Sequence, residues 1–210
     1  DCPEDKIIII KRSVENFFND KPINKNEICR RFKIPANKKI ILISGNIFYK
    51  NLKTSLKVLN ELKKERNDFV FVHIGSNNQI DGDKIDNQIL IKIPFLERRE
   101  LPYIYKISSI LFYPSIYEGF GMPLLEAMSC GIPIVCSDNS SIPEVVGDAG
   151  LKSNHNDVET FIKHINLILN NTDISNDLKK KSLERSKSFD NKNFQLNLIR
   201  IYKEELEKIN

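Results

Sequence analysis

The residues best suited to chemistry in this sequence are two glutamates on either side of a glycine-containing turn. Glu118 and Glu126 are separated by seven residues within the stretch YEGFGMPLLEAMSCG, residues 117–131. A carboxylate has two oxygens and can accept hydrogen bonds from both hydroxyls of a vicinal diol, such as that of a ribose or another sugar. The structural alternatives are an exposed helical residue for Glu126 and a surface turn residue for Glu118.

A helix start lies between the two acids. Pro123 suits the first turn of a helix, where its missing N–H is not needed, and the preceding Met122 has no side-chain oxygen to cap the helix. The unpaired N–H groups and the helix dipole favour a phosphate, and Gly119 and Gly121 permit close approach of the backbone. Water at the helix end is the alternative. Acids flanking such a turn fit a ligand with phosphates in its middle and hydroxyls at both ends, which is the layout of a nucleotide sugar.

A second loop with a candidate anion site runs from Ser44 to Asn51. Gly45 lets the backbone leave a strand without a side chain in the way, and Lys50 places an ammonium group beside the start of the next helix. The spacing matches neither the phosphate-binding P-loop nor the dinucleotide fingerprint G-x-G-x-x-G. A plain strand–turn–helix connection with a surface lysine is the alternative interpretation.

Continuous apolar runs of strand length indicate the elements that position these loops. The runs do not alternate with polar residues, as expected for strands buried on both faces, and they cover residues 7–10, 40–44, 69–74, 89–93, 110–113 and 134–136. Helical patterns lie between most of them, for example Leu52, Leu56, Leu59 and Leu62. This alternation predicts an α/β fold with a doubly wound parallel sheet of about six strands. Both loops would lie at the carboxyl ends of strands, where open parallel sheets bind ligands.

The length of 210 residues fits one large domain or two small ones. Residues 1–35 are polar and irregular, and we expect a linker-like segment with a first strand at Ile7–Ile10 and a short helix around Glu27–Phe32. Residues 36–210 predict one Rossmann-like domain, in which only helical patterns follow Asp157. The chain begins with neither Met nor a signal peptide, which indicates a piece of something longer.

Composition argues against several kinds of partner. The net charge is +4, from 32 Lys and Arg against 28 Asp and Glu, and this excess is too small and too dispersed for a nucleic-acid surface. The four cysteines form no C-x-x-C pair, which argues against zinc, and they are interpreted as reduced thiols that suit the cytoplasm. No apolar stretch reaches the length of about 18 residues that predicts a membrane span.

The segment EGFGMPLLEAM, residues 118–128, resembles the E-x7-E motif of the retaining GT-B glycosyltransferases of the large family numbered 4. The segments CGIPIV at 130–135 and SSIPEVVGDAG at 140–150 continue the resemblance, which extends more weakly from Asp5 to Tyr202. GT-B enzymes have two Rossmann-like domains, and this chain resembles the C-terminal one, which binds the donor. The resemblance implies transfer of a sugar from a nucleoside diphosphate sugar to an acceptor, with retention of anomeric configuration and without a cofactor or a metal.

The resemblance also implies a role for each matching residue. Glu126 would bind the ribose hydroxyls, Glu118 the transferred sugar near the reacting carbon, and Lys50 the diphosphate leaving group. The residues implied around the diphosphate and the sugar are Gly45, Asn46, Phe120, Gly121, Met122 and Leu124. Those implied around the base are Gly75 and Phe95, with the neighbouring Pro94 and Leu96. Family members often have Arg after the glycine of the first loop, where this sequence has Asn46.

The acceptor and the cellular setting are also implied by the resemblance. The acceptor, a carbohydrate or a lipid-linked molecule, would bind mainly to the first domain, for which this chain has no room. We therefore expect a fragment that is inactive alone or one subunit of a two-chain transferase. Its expected place is the cytoplasm, or the cytoplasmic membrane face through peripheral association of the full-length enzyme. A non-catalytic nucleotide-sugar-binding or interaction module and a sugar-nucleotide epimerase are the alternatives.

Two other patterns are interpreted as structural. Asp81-Gly82-Asp83 matches D-x-D, the metal motif of a different glycosyltransferase architecture, but Asp and Gly are also the residues that turns favour. His73 lies at a strand end and is interpreted as a packed histidine rather than a catalytic base. The sequence therefore gives no nucleophile and no metal ligand.

Overall fold

A parallel sheet forms the centre of the molecule. The computed structural model describes residues 3–4, 7–18, 22–45, 48–75 and 89–207. Within these residues, six parallel strands form one sheet in the order β3-β2-β1-β4-β5-β6. The strands are β1 Lys39–Ser44, β2 Phe69–Ile74, β3 Leu90–Ile93, β4 Ile110–Tyr113, β5 Ile134–Ser137 and β6 Gly150–Ser153.

Helices cover both faces of this sheet. In the described part of the chain they are α1 Lys25–Arg31, α2 Leu52–Glu65, α3 Leu101–Ile107, α4 Met122–Ser129, α5 Ile142–Val146, α6 Val158–Asn170, α7 Thr172–Ser186 and α8 Asn191–Glu207. None of these helices has the length and apolar character needed to cross a membrane.

Successive residues of each central strand point to opposite faces of the sheet and enter different cores. Ile40 and Leu42 of β1 join a core that also contains buried residues of α3 and α4. Ile41 and Ile43 join a second core, which contains buried residues of α2 and α6. Because both faces are covered, the central strands consist mainly of apolar residues, and the predicted doubly wound parallel sheet is confirmed.

One predicted strand is absent, and one strand of the sheet was not predicted. Residues 7–10 form no strand, and Ile9 has an exposed fraction of 88%. An apolar run becomes a strand only when a neighbouring strand pairs with it, and Ile7–Ile10 has no such neighbour among the described residues. The sixth strand is instead β6, which the apolar-run criterion missed because this edge strand reads Gly-Leu-Lys-Ser and is only partly buried. The short helix expected near Glu27 is α1, whose first amides bond to the side chain of Asn24.

The segment that precedes α1 packs against the sheet rather than standing apart from it. Val14 and Phe18 are buried in the same core as α3 and α4. Ser13 Oγ also donates a hydrogen bond of 3.0 Å to Asn191 Oδ1, at the start of α8. Residues 13–18 are thus fixed next to the elements that carry the candidate site, and the domain boundary after residue 35 stays a prediction.

The strand order places the two candidate loops side by side. The chain runs from β1 to β2 on one side of β1, whereas β4 pairs with the other side, with Leu42 opposite Leu111. This change of direction is the topological switch point, at which the carboxyl ends of parallel strands leave a crevice for a ligand. The loop with Gly45 and Lys50 follows β1, and the loop with Glu118 follows β4.

Candidate functional site

Lys50 lies just before α2, close to the end of β1. It ends a short 3₁₀ turn, Phe48–Lys50, and its side chain folds back over Gly45. A Cβ added to Gly45 would lie only 2.8 Å from Lys50 Cγ, and Gly45 has a φ of +100°. Glycine is required here both for the left-handed backbone and for the close contact. The sequence therefore uses Gly45 to bring the lysine side chain over the end of the strand.

Lys50 and Glu118 form a largely buried ion pair. Lys50 Nζ lies 2.7 Å from Glu118 Oε1, and the exposed fractions of the two side chains are 13% and 8%. Lys50 also donates a hydrogen bond to the hydroxyl of Tyr113, the last residue of β4. Burial and the nearby Glu118 charge raise the pKa of Tyr113, so its hydroxyl stays protonated at neutral pH. The result is a fixed cation next to a fixed carboxylate at the switch point.

The backbone of Glu118 is held by two serines of the loop before α5. Glu118 N donates to Ser140 Oγ at 2.9 Å, and Ser141 Oγ donates to Glu118 O at 3.0 Å. Sequence reasoning did not give these serines a role, although they stand directly before a helix start, where serine side chains commonly bond to backbone groups. They fix the direction in which the carboxylate leaves the loop.

The start of α4 leaves amide donors without partners. The N-cap residue is Gly121, with a φ of +92°, one residue earlier than the Met122 that the sequence suggested. No side chain caps the helix, as predicted. No described residue accepts a hydrogen bond from the N–H groups of Phe120, Gly121 or Met122. Together with the dipole of α4, these donors make the turn suitable for an anion.

Glu126 lies one turn further along α4 and points into the protein. Only 4% of the residue is exposed, so it is not a surface helical glutamate. Its Oε2 accepts a hydrogen bond of 2.8 Å from the hydroxyl of Tyr105 in α3, and its Oε1 accepts one of 2.9 Å from Arg98 Nη1. Burial and the charge of Glu126 raise the pKa of Tyr105, which keeps that hydroxyl a donor. Sequence reasoning missed both partners, because they follow a different strand from Glu126.

These groups lie on loops and on helix α4 at the carboxyl ends of the parallel strands. A cation, a carboxylate next to it, free amides and a second carboxylate suit a ligand with both anionic and hydroxyl groups. The comparison with known protein families agrees with this chemistry, since the model for glycosyl transferases group 1 matches residues 24–185. The chain belongs to the glycosyl transferases group 1 family.

Named relatives and solved structures agree with this family. O-antigen chain mannosyltransferase B of Escherichia coli is 43% identical over 109 residues, covering 52% of this chain and 29% of that protein. A glycosyltransferase structure from Rickettsia africae has a TM-score of 0.84 at 21% identity and covers 97% of this chain and 58% of that chain. Anabaena Alr3699/HepE in complex with UDP-glucose has a TM-score of 0.78 at 15% identity, covering 93% and 57%. The matched segment thus covers less than a third of the Escherichia coli relative's length. The two structures show the fold of the chain.

The predicted base-binding residues of this group 1 glycosyltransferase lie at the ends of neighbouring strands. Gly75 follows β2, has a φ of +147° and donates its N–H to Ile93 O at 2.9 Å. Phe95 follows β3 and has an exposed fraction of 78%, so its ring is available to a ligand. Because β2 and β3 are paired, Gly75 and the Phe95 loop face the same edge of the sheet. Their contact with a base stays a prediction.

Two members of the predicted set have side chains that pack against other apolar residues. The side chain of Leu124 is completely buried in the core, and its N–H donates to Gly121 O, so Leu124 supports the helix start. Its contact with a donor stays a prediction. The ring of Phe120 packs against Phe189 at 5.8 Å between centroids, which leaves its backbone for a ligand. Apolar side chains in this turn therefore anchor α4.

The remaining sequence patterns can be placed or set aside. Asn46 and the Asp81-Gly82-Asp83 motif lie outside the described residues. His73 is buried, its Nε2 lies 3.0 Å from Gly45 O, and burial lowers its pKa, which agrees with a packed neutral histidine. Among the residues that the structure describes, no group of three or more His, Cys, Asp and Glu side chains could hold a metal ion.

Proposed function

We propose that this chain is the donor-binding part of a retaining GT-B hexosyltransferase of family 4, which transfers a sugar from a nucleoside diphosphate sugar. One observation carries the proposal: two nearly buried glutamates flank an uncapped helix start, and Lys50 lies 2.7 Å from the first of them. The mannosyltransferase relative supports mannose as the sugar, and the Alr3699/HepE complex supports a nucleoside diphosphate donor.

In this proposal the donor lies across the start of α4. The diphosphate faces the free amides of Phe120, Gly121 and Met122, where hydrogen-bond donors and the helix dipole stabilise negative charge. Glu126 accepts hydrogen bonds from the ribose diol, and the loops at Gly75 and Phe95 contact the base. The sugar is then directed towards Glu118, at the other side of the turn.

The chemical step needs stabilisation of the diphosphate leaving group. The bond between the anomeric carbon and the phosphate oxygen breaks, so negative charge increases on the diphosphate. The acceptor oxygen bonds to the anomeric carbon, and its proton passes to the departing diphosphate. Lys50 and the amides of the α4 start are fixed in advance and would stabilise this charge electrostatically. Glu118 orients the sugar hydroxyls. No cofactor takes part in this proposal. A carbohydrate or lipid-linked acceptor binds to another part of the full-length enzyme. The reaction takes place in the cytoplasm or at the cytoplasmic face of the membrane.

Binding measurements test the donor site directly. Isothermal titration calorimetry would compare UDP, GDP and ADP and their mannose and glucose derivatives for the wild-type chain and Glu126→Ala. Hydrogen bonds to a charged group contribute about 1.5–3 kcal/mol, so we expect Glu126→Ala to weaken binding about 10- to 100-fold. Glu159→Ala is the matched control, because Glu159 is an exposed helical glutamate of α6. The proposed site would be refuted if no nucleotide bound to the wild-type chain, or if Glu126→Ala bound nucleotides as tightly as the wild type.

Transfer needs a separate assay. A nucleotide-sugar-binding module would bind the donor as well but would not support transfer. Introducing Glu118→Gln into the full-length enzyme should abolish most sugar transfer while donor binding persists. Full transfer activity in that variant would remove Glu118 from the proposed mechanism, and conversion of the donor into an epimer without an acceptor would indicate an epimerase instead.

A further inference from the structure

We propose that Arg98 and Glu15 are positioning residues that hold Glu126 in place for the diol of the donor. The proposal rests on the proposed function, because it assumes that Glu126 accepts the diol. Neither residue belongs to the matching motif, and Glu15 makes no contact with Glu126. The inference comes from a chain of hydrogen bonds that joins residues far apart in the sequence.

Arg98 bridges two carboxylates through three of its nitrogens. Its Nη1 donates to Glu126 Oε1 at 2.9 Å, while its Nη2 and Nε donate to the two oxygens of Glu15 at 2.6 and 2.5 Å. The contact with Glu15 is therefore bidentate, the geometry that gives arginine–carboxylate pairs their directional strength. A lysine could not make both contacts with the same fixed orientation.

Arg98 itself is anchored on several sides. It starts the 3₁₀ turn Arg98–Glu100, which is closed by a capping box between Glu97 and Glu100. Glu100 is further paired with Arg31 of α1. The guanidinium group also lies 5.6 Å from the centroid of the buried Phe18 ring. These contacts limit the positions open to Arg98, so that it can define where Glu126 Oε1 lies.

The partners of Glu126 leave room for a diol. An ionised carboxylate has about four acceptor positions, and the structure gives one protein donor to each oxygen, from Arg98 and Tyr105. Two positions remain for two hydroxyls. Without Arg98, the buried Oε1 would lose its only donor among the described residues, and the carboxylate could rotate about its last bond. Arg98 therefore orients Glu126 without taking all of its capacity.

Glu15 connects this arrangement to the segment before α1. The segment is fixed by the buried side chains of Val14 and Phe18 on either side of Glu15. The hydrogen bonds from Arg98 lower the pKa of Glu15, which keeps Glu15 ionised at neutral pH. A displacement of residues 13–18 would move Arg98 and, through it, Glu126. The affinity for a diol should thus depend on a residue that no donor atom contacts.

A comparison of nucleotides with and without the diol tests this inference. Dissociation constants of UDP, GDP and their 2′,3′-dideoxy counterparts would be measured calorimetrically for the wild type, Arg98→Gln, Glu15→Gln and Glu126→Gln. We expect Arg98→Gln to weaken ribonucleotide binding about 10-fold and Glu15→Gln about 3-fold. Neither variant should change dideoxynucleotide binding. Adding Arg98→Gln to Glu126→Gln should have no further effect, since both act through the same carboxylate.

Controls separate positioning from general disruption. Arg200→Gln removes an exposed arginine that is paired with Glu204 in α8 and takes no part in anchoring Arg98, and it should leave both nucleotide classes unaffected. Arg98→Lys should restore part of the diol preference, because it keeps the positive charge. Equal weakening of ribo- and dideoxynucleotide binding in Arg98→Gln would mean a purely structural role and overturn the inference.

Two further outcomes would also decide the matter. Tighter ribonucleotide binding by Arg98→Gln would mean that Arg98 competes with the diol, which contradicts positioning. A wild-type chain that does not distinguish the two nucleotide classes would refute the diol role of Glu126, and the inference would fall together with the proposed function. If the wild type distinguishes them and the Arg98 and Glu15 variants do so equally well, the inference alone is refuted.

Discussion

The buried pair of Lys50 and Glu118 gives the sharpest test of the structure. We expect Lys50→Met to destabilise the protein, because it removes the cation but leaves Glu118 buried with an exposed fraction of only 8%. The hydroxyl of Tyr113 contacts Lys50 and cannot supply the missing charge. Glu118→Leu should destabilise the protein as well, since it leaves the ammonium group without its carboxylate.

The expected size follows from the burial of the pair. Removing one partner of a buried ion pair typically costs about 3–5 kcal/mol, whereas replacing both partners by apolar residues is often neutral or stabilising. Lys50 retains a little solvent contact, at 13% exposure, so we take the lower end of this range, about 3 kcal/mol, for each single variant. In a chain of this size that corresponds to a fall in melting temperature of about 6–12 °C. The double variant should lie within about 1 kcal/mol of the wild type.

Urea unfolding followed by circular dichroism would measure the free energies of unfolding of the four proteins, provided that their m values agree. Lys64→Met is the matched control, because Lys64 pairs with Glu61 on the surface, where an ion pair contributes about 0–1 kcal/mol. The reasoning is refuted if Lys50→Met changes the free energy of unfolding by less than about 0.5 kcal/mol, or if the two single effects add in the double variant.

Two further predictions concern the strand ends around this pair. Gly45→Ala should destabilise the protein by about 1–3 kcal/mol in urea unfolding, because of its positive φ and the 2.8 Å approach of Lys50. Gly119→Ala is the control, since a Cβ there meets no atom within 4 Å, and equal effects would contradict the account. Burial lowers the pKa of His73 in the folded protein, so the unfolded chain binds the proton first as pH falls. The stability that neutral His73 contributes should be complete above the unfolded pKa of about 6.5 and decrease below it. The free energy of unfolding should therefore change less between pH 7.5 and pH 5.5 for His73→Gln than for the wild type.

The parts of the fold that could be predicted are those with a local sequence signal. Strands β1, β2 and β4 are buried on both faces, so each is a continuous apolar run that can be recognised without knowing its neighbours. The edge strand β6 has no such signal, because it reads Gly-Leu-Lys-Ser and its two middle residues, Leu151 and Lys152, are only partly buried. Ile7–Ile10 shows the converse, since its apolar residues have no strand to pair with in the described part of the chain.

The candidate site divides in the same way. Glu118, Glu126 and the uncapped helix start lie within nine residues of one another and share a recognisable spacing. Lys50 could be predicted as a site residue because it lies in the loop that follows a predicted strand. The contacts of Arg98 could not be predicted, because they join it to Glu126 across 28 residues and to Glu15 across 83. Only the packing of separate elements brings such residues together, and single-sequence patterns do not contain that information.

The charges around α4 explain how acids can flank a helix start that attracts anions. Each glutamate of the pair has a cation at hydrogen-bonding distance, Lys50 for Glu118 and Arg98 for Glu126. The charges of the acids are therefore largely compensated, and the free amides of the helix start still favour an anion. Lys50 has Glu118 as its carboxylate partner, whereas Arg98 is shared between Glu126 and Glu15. In the proposed function, Lys50 would therefore stabilise the leaving group, and Arg98 would keep the diol acceptor Glu126 in place.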